Sequence, residues 1–468
     1  MKTTSQSPSR SFALPLVCAS IFVLTFVVAW ILPAWTTSEQ RTPELGYFGP
    51  PITDTSEAIA LARSVRGLTI QRYDHEMALL HHFEVTYDDA RGWIIPSHHG
   101  YPADGGDRVG RAAGSVLGIE RHPEARVSSD PRDHAALGVL NPDDEHAPFG
   151  APRGRRVTLT GADGAVILDL IIGNRVDDRS GWRYLRLAHD DAVYQAQIEP
   201  DLSTHFTDYV EQDLLKVARN QVSGVVLDPH RVDLQAGNVM TPPTLQLNRQ
   251  GGSSLWTSPQ APAGHSVDAD AMRKLLDGIT RVRLQGVRPL QPLTMQRMQR
   301  FGFFTDDGAT IYGYEGGIQI QARSGLRYSL YFGERAPDDG LALTAGLEEE
   351  AASMQESTPG SNRFMIVLVD YDEQHDRVLG DRLENLREEA EDAGETEALD
   401  QQLADLRAQR IEEMEAQRDQ ERDKFLQFFY VISGSVFDSL NPDHDSLFVA
   451  AEAEEVEARG SDPEQLGE

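Results

Sequence analysis

Residues 155–173, RRVTLTGADGAVILDLIIG, decide the fold, because they predict two strands joined by a tight turn. The tripeptide Ala162-Asp163-Gly164 between the two apolar runs is typical of a β-hairpin turn. Segments that alternate apolar and polar side chains, rich in aromatic and β-branched residues, lie on both sides of this hairpin. They are 68–74, 81–88, 92–97, 182–188 and 192–198. Together they predict an α+β module with a mainly antiparallel sheet over residues 68–230.

Helical patterns occur around and between these strands. Residues 56–66 have a small-residue apolar spacing that predicts a short helix before the first strand. Residues 103–121 carry apolar side chains at helical spacing. The segment 207–216, TDYVEQDLLK, predicts a helix that closes the module.

A second module, residues 231–375, repeats this order of features at an offset of about 160 residues. One of the matches is between GIQIQARSGLRYSLYFGER at 317–335 and GAVILDLIIGNRV at 164–176. The Asp-rich start and apolar 3–4 spacing of 265–284 predict a helix that parallels the one at 103–119. We therefore interpret the chain as containing two repeated α+β modules.

The C-terminal third of the chain is charged and then aromatic. Residues 376–424 contain no proline and one glycine, Gly394, and therefore predict a charged helical arm of two helices hinged near it. Its narrow apolar stripes suit either a coiled-coil partner or packing on the chain's own modules. Residues 425–450 begin with FLQFFYVISGSVFDSL, a segment expected to dock into a core, and 451–468 are expected to be disordered.

The N-terminal run 12–35, FALPLVCASIFVLTFVVAWILPAW, is uncharged and long enough to span a bilayer as a helix. Lys2 and Arg10 precede it, so the positive-inside rule places residues 1–11 in the cytoplasm and the C-terminal part outside. Residues 36–67 would be a spacer. These features predict a single-pass protein of the cell inner membrane with a periplasmic or extracytoplasmic body. The alternative is a cleaved signal peptide.

The composition argues against nucleic acid as a partner and against disulfide bonds in the modules. The formal net charge is −31, which argues against nucleic acid as a partner, because phosphates require a basic surface. The only cysteine, Cys18, lies in the apolar run, so no disulfide stabilises the outer modules. The cations are almost all arginine, since Lys2, Lys216, Lys274 and Lys424 are the only lysines.

Histidines are concentrated in residues 75–134, which makes a metal site the main catalytic hypothesis. Neighbours on a strand point to opposite faces, so His81 and His82 cannot both reach one metal without a bend. No HExxH pattern, phosphate loop or nucleophile elbow occurs. We predict no catalytic, cofactor-binding or metal-binding residues, and we keep two open alternatives, a ligand-gripping loop at 93–104 and the metal site. The histidines considered are His75, His81, His82, His98, His99, His122 and His134.

Three stretches resemble the bacterial family known as domain of unknown function 4340. They are WIIPSHHGYPAD at 93–104, VILDLIIGNRV with WRYLRL over 166–187, and FFYVISGSVFDSL at 428–440. The resemblance implies an N-terminal anchor, repeated α+β modules and a non-catalytic, extracytoplasmic protein. Some members are encoded beside ABC transporter permease and gliding-motility-type genes, which implies a partner in an inner-membrane complex such as ABC transporter components.

Two functions follow as expectations. The first is a membrane-anchored accessory or binding scaffold of a transport or envelope assembly, without enzymatic activity. The alternative is an envelope metal-dependent enzyme that uses the histidine-rich region 75–134.

Overall fold

The computed structural model describes most of the chain after the predicted membrane run. No helix in this described part is both long and apolar enough to cross a membrane. The predicted segments 1–11, 12–35 and 451–468 lie outside it. The described residues are 46–52, 54–211, 213–233, 238–249, 255–305, 310–337, 344–345, 362–393 and 399–450.

The chain is mixed α+β with mainly antiparallel sheets, as predicted. Its described strands are β1 Gly46–Tyr47, β2 Gly67–Asp74, β3 Leu79–Asp88, β4 Gly92–Ile95, β5 Tyr101–Pro102, β6 Glu120–Arg121, β7 Arg126–Ser128, β8 Arg155–Thr160, β9 Val166–Arg175, β10 Trp182–Leu187, β11 Val193–Gln197, β12 Val222–Asp228, β13 Arg231–Asp233, β14 Asn238–Met240, β15 Leu245–Arg249, β16 Trp256–Thr257, β17 His265–Val267, β18 Leu284–Pro289, β19 Phe303–Phe304, β20 Tyr312–Gly313, β21 Gly317–Ala322, β22 Ser324–Arg335, β23 Arg363–Asp376, β24 Phe428–Ile432 and β25 Phe448–Ala450. Its described helices are α1 Thr55–Ser64, α2 Gly110–Gly114, α3 His134–Leu137, α4 Ala269–Thr280, α5 Met295–Arg300, α6 Arg377–Ala393, α7 Leu399–Phe425 and α8 Gly434–Leu440.

Contacts divide the chain into two compact units. Among the described residues, the first contains those up to 82 and 110–202, and the second contains 83–109 and those from 203 onward. The predicted module boundaries at 68–230 and 231–375, and the duplication itself, stay predictions.

The first sheet has nine strands in the order β5-β4-β3-β2-β8-β9-β10-β11-β7, and the boundary between the units falls within β3. The predicted hairpin is confirmed, because β8 and β9 pair antiparallel and Gly161 N–H donates to Ala165 O in the turn. On this unit's side, Val139, Ile171 and Val193 form a buried apolar cluster. β8 buries one face, with Val157 and Leu159, whereas β9 buries the four consecutive residues 170–173.

The second sheet has eight strands in the order β16-β15-β12-β21-β22-β23-β24-β18. β12 pairs antiparallel with both β15 and β21, which places residues 222–228 in this sheet. The aromatic segment supplies β24, all five residues of which are buried between β23 and β18. Its Phe429 packs with Phe301 and Phe303 in the main apolar cluster of this unit.

The charged arm forms α6 and α7, and α7 packs against β23 of its own unit. A buried ion pair lies at this contact, where Arg410 Nε donates to Asp376 Oδ2 at 2.9 Å. The self-packing alternative for the arm therefore has direct structural support.

Two helix predictions need correction. In the described residues of 207–216, which exclude 212, the helical structure is a 3-10 turn at Phe206–Asp208, and Lys216 has a φ of 53°. Tyr209, Val210, Leu214 and Leu215 are buried as consecutive pairs, so the packing of these side chains overrides the helical propensity. The helix predicted over 103–121 reduces to α2 after one π-helical turn, since its five glycines weaken a continuous helix.

Candidate functional site: an arginine-lined cleft

The antiparallel register of the first sheet brings four strand ends to one edge, and each carries an arginine. β8 begins with Arg155 opposite Ile172, near the end of β9. Arg175 lies opposite Arg183, which is near the start of β10. On the other side of β8, Gln71 pairs with Arg156, so Arg72 lies at the same end. Residues far apart in sequence therefore converge because the strands run in opposite directions.

These side chains line an open cleft of about 980 Å³ in the first unit. Its lining includes three carboxylates, of which Asp201 also lies 3.9 Å from Arg111. Cations outnumber the carboxylates on the cleft surface, although the chain as a whole is strongly acidic. The arginines are Arg72, Arg153, Arg155, Arg175, Arg179 and Arg183, and the carboxylates are Asp178, Glu199 and Asp201.

Several of the guanidinium groups are held in place by neighbouring groups. Arg153 donates to Pro142 O at 2.8 Å, and its Cζ lies 3.8 Å from the centre of the Tyr73 ring. Arg155 donates to Leu202 O at 3.0 Å. The contact of Arg153 with a carbonyl leaves its positive charge in place, since a carbonyl is uncharged. The cleft is therefore pre-organised, and it retains cationic character.

Arg183 and Arg175 form a like-charge pair across two strands. Burial, together with the charge of Arg175, lowers the pKa of Arg183. Arg183 donates to Gly173 O at 3.1 Å, which holds it in this position. Like charges directly opposite on a sheet repel each other. An anion bound between them would remove that repulsion.

Close packing fixes the backbone behind the cleft. A Cβ added to Gly173 would lie 2.6 Å from both Leu137 O and Val139 Cγ1. A Cβ on Gly154 would lie 2.4 Å from Ile171 Cγ2. These two glycines allow the loop before β8 and the end of β9 to approach their neighbours closely, which sets the shape of the lining.

The cleft can bind oxyanions. Arginine presents donors in a planar fork that matches carboxylate and phosphate groups and stays charged at any physiological pH. Arg72 also lines the cleft, and its Nε is buried without a hydrogen-bond partner among the described residues. Trp182 adds an aromatic surface, with Arg179 Cζ 5.0 Å from its ring centre. The arrangement provides charge and shape for binding a negatively charged group.

Sequence reasoning missed this site, because it concentrated on histidines and carboxylates. The available signal was the local density of arginine in PRGRR at 152–156 and in NRVDDRSGWR at 174–183, within an acidic chain. Only the register of the sheet shows that the two stretches face the same cleft.

Three of the histidines of 75–134 contact separate groups. His82 contacts Gln71, His122 lies between Glu120 and Glu124, and His134 contacts Asp191 O. In the part of the chain that the structure describes, no three His, Cys, Asp or Glu side chains are grouped to hold a metal ion. The metal-enzyme alternative thus has no support from these residues.

The loop at 93–104 is partly buried, and its histidine His98 points into the core. Its His98 is 2% exposed, and the imidazole stacks on Phe206 with ring centres 4.3 Å apart. Burial, with the charges of His99 and Arg288, lowers the pKa of His98 to about 4. A neutral, stacked imidazole is a structural element of the core, so the ligand-gripping role gains no support at this residue.

Comparison with known proteins identifies one family. The family model described as a domain of unknown function (DUF4340) matches residues 93–299, which confirms the resemblance over that range. The comparisons with curated proteins and with solved structures found no match.

Proposed function

We propose that this chain, which matches the DUF4340 family over residues 93–299, is a membrane-anchored, extracytoplasmic binding scaffold without enzymatic activity. It would serve as an accessory subunit of an ABC-type transport or envelope assembly in the inner membrane. The observation that carries the proposal is the arginine-lined cleft of the first unit, which is built to hold negative charge.

The cleft favours an extended acidic ligand over a single small ion. Its volume of about 980 Å³ is at the upper end of the range for small-molecule sites, and its guanidinium groups come from several strands and loops. An acidic segment of a partner protein could place several carboxylates against them at once. Exposed members of the site, Arg175 and Arg179, would attract such a segment from solution.

Anchoring rests on the apolar run at 12–35 and on the charges that flank it. A tether in the same membrane raises the effective concentration of the cleft near a membrane partner. Weak individual contacts then suffice for stable association. An accessory subunit can therefore use an open, charged surface rather than a deep apolar pocket.

The test is a pull-down from detergent-solubilised membranes after mild crosslinking of the tagged full-length chain. We expect a co-purifying membrane protein with wild type, and at least tenfold less of it with the double variant Arg175→Gln/Arg179→Gln. The control Arg281→Gln/Arg283→Gln removes the same charge from exposed positions of the second unit and should retain the partner. Association should weaken as salt rises, because exposed charges are screened.

Two outcomes would count against the proposal. Equal recovery of the partner with both double variants would exclude the cleft as the contact. Recovery of the chain alone, even with crosslinking, would contradict the proposed scaffold function itself.

The variant Arg175→Gln should not destabilise the first unit, because it removes the like charge opposite Arg183.

The non-catalytic part of the proposal has its own measurement. Metal analysis of the purified full-length chain should find zinc, manganese and iron well below one equivalent. Melting should be unchanged by a chelator. A stoichiometric metal that stabilises the chain would revive the enzyme alternative at 75–134.

A further inference from the structure

A cavity of about 370 Å³ in the second unit brings together two of the chain's four lysines. Lys216 comes from the segment that follows the 3-10 turn at Phe206–Asp208, and Lys424 lies in the last turn of α7. None of the described residues that line the cavity is arginine. The cavity therefore offers primary amines, which are nucleophiles when they are uncharged, rather than guanidinium groups.

Buried aromatic side chains form the apolar part of the lining. Tyr101 of β5 and Phe428 of β24 have ring centres 5.0 Å apart, with the ring planes at 66°. Leu214 and Tyr430, which are also buried, line the same cavity. The volume lies within the range of small-molecule sites. A small molecule that carries an aromatic group therefore suits this cavity.

Lys424 presents an amine that solvent reaches and that no carboxylate pairs with. Its side chain is exposed, and it forms no ion pair with the described residues. Its Nζ lies 4.7 Å from the centre of the Phe425 ring, which replaces part of its hydration. The carboxylate of Glu211 is held instead by Lys216, with 3.1 Å between Oε2 and Nζ. An ammonium group without an ion pair loses its proton more easily than a paired one.

The charges around Lys424 act in both directions. The charged groups that act on Lys424 or line its cavity are Glu421, Glu211, Lys216, Asp104 and Asp213. Desolvation is the largest influence and lowers the pKa of Lys424, and the charge of Lys216 lowers the pKa further. The carboxylates of Glu421 and Glu211 oppose this shift without reversing it. A desolvated lysine beside a second cation is an activated nucleophile.

We propose that Lys424 is a covalent binding site for an aldehyde or ketone that carries an aromatic group. The lone pair of the uncharged Nζ attacks the carbonyl carbon and forms a C–N bond. The carbonyl oxygen then leaves as water with the two amine hydrogens, and a C=N bond replaces the C=O bond. This condensation needs no oxidant or reductant. The aromatic group of the ligand packs on Tyr101 and Phe428. Capture of this kind requires no turnover, so it is compatible with a scaffold.

Reductive labelling of the full-length chain in detergent tests the proposal. Benzaldehyde or propanal is added with cyanoborohydride, which reduces the imine to a stable amine, and mass spectrometry of peptides gives the rate at each lysine. At about pH 7, benzaldehyde should label Lys424 at least fivefold faster than Lys274, an exposed lysine of α4. This ratio should fall towards one near about pH 10.5, where lysine amines in general lose their charge. Propanal should show a smaller preference for Lys424, because it has no ring to pack in the cavity.

Two variants of Lys216 isolate the contribution of its charge. Lys216→Gln removes the charge and releases Glu211, so labelling of Lys424 by benzaldehyde at about pH 7 should slow at least threefold. Lys216→Arg keeps the charge and a partner for Glu211, and labelling should stay within about twofold of wild type. Both variants change an exposed side chain, and an unchanged rate at Lys274 checks that they are folded.

Three results would each overturn the proposal. They are equal labelling of Lys424 and Lys274 at about pH 7, an equal preference for Lys424 with propanal and benzaldehyde, and equal slowing in the two Lys216 variants. None of them bears on the pull-down that tests the scaffold.

Discussion

Replacing Arg410 by methionine should detach the charged arm locally from the second sheet. The side chain of Asp376 is 0% exposed and accepts three hydrogen bonds. These come from Arg410 Nε at 2.9 Å, from the Leu379 N–H in the first turn of α6 at 2.9 Å, and from Tyr371 Oη at 3.3 Å. Burial and the Asp376 carboxylate raise the pKa of Tyr371 to about 12, so its hydroxyl stays a donor.

The free-energy cost of Arg410→Met follows from the interactions that remain in the variant. Methionine keeps most of the apolar stem of Arg410, so the loss is mainly electrostatic. Breaking a buried ion pair by removing one partner costs about 3–5 kcal/mol, and the two remaining donors to Asp376 place this case near 3 kcal/mol. That corresponds to a fall of about 150-fold in the equilibrium for local closure.

Hydrogen exchange, measured by mass spectrometry on the full-length chain, reports this change in the equilibrium for local closure. Peptides from the part of α7 around residue 410 should lose protection by about two orders of magnitude. The control Arg407→Met, on the same helix, removes an exposed arginine that contacts Glu373 and should change protection by less than about threefold. The double variant Asp376→Leu/Arg410→Met should recover most of the loss, less about 1 kcal/mol for the capping bond to Leu379. Unchanged protection in Arg410→Met would refute the reasoning.

Three further predictions concern pH and packing. His98 has its pKa lowered to about 4, so the unfolded chain binds its proton more readily. Unfolding free energy should therefore fall by up to about 3 kcal/mol as pH drops from 6.5 to 4 in denaturant titrations; a His98→Gln variant that keeps this slope would contradict the assignment. For His230, the hydrogen bond that its ring donates to the Asp228 carboxylate raises the pKa. Its contribution is complete below pH 6.5 and is lost as pH rises through the raised value, so His230→Gln should cost more at about pH 6 than at about pH 9; equal costs would be evidence against the pair. Gly173→Ala should destabilise the first unit by about 1–3 kcal/mol in the same titrations, while Gly114→Ala, whose Cβ meets nothing within 4 Å, should be neutral or stabilising; a neutral Gly173→Ala would show that the backbone can move.

Local patterns predicted the elements that local physics controls. The hairpin at 155–173 carries its own turn signal, and it forms as β8 and β9. The helix predicted within 265–284 is α4, and Asp268 caps it by accepting the N–H groups of Asp270 and Ala271. The apolar stripes of the charged arm predicted two helices, which form as α6 and α7. This prediction was possible because helical periodicity can be seen within a single segment.

The segment 207–216 shows where such reasoning stops. Its composition suits a helix, yet four of its apolar side chains are buried in consecutive pairs. The burial of these side chains depends on core residues that are distant in sequence, so a short stretch of sequence does not predict it. The membrane run at 12–35 remains a prediction from sequence, as do the orientation and the partner that follow from it.

The sequence by itself determined the class of the protein: antiparallel α+β units, a charged helical arm, one apolar N-terminal run and no recognisable catalytic motif. Only the tertiary structure decided where charge concentrates. Arg155, Arg175 and Arg183 become neighbours because antiparallel register brings the start of one strand beside the end of the next. A binding site is a property of distances between residues remote in sequence, and those distances are set by the packing of the whole unit.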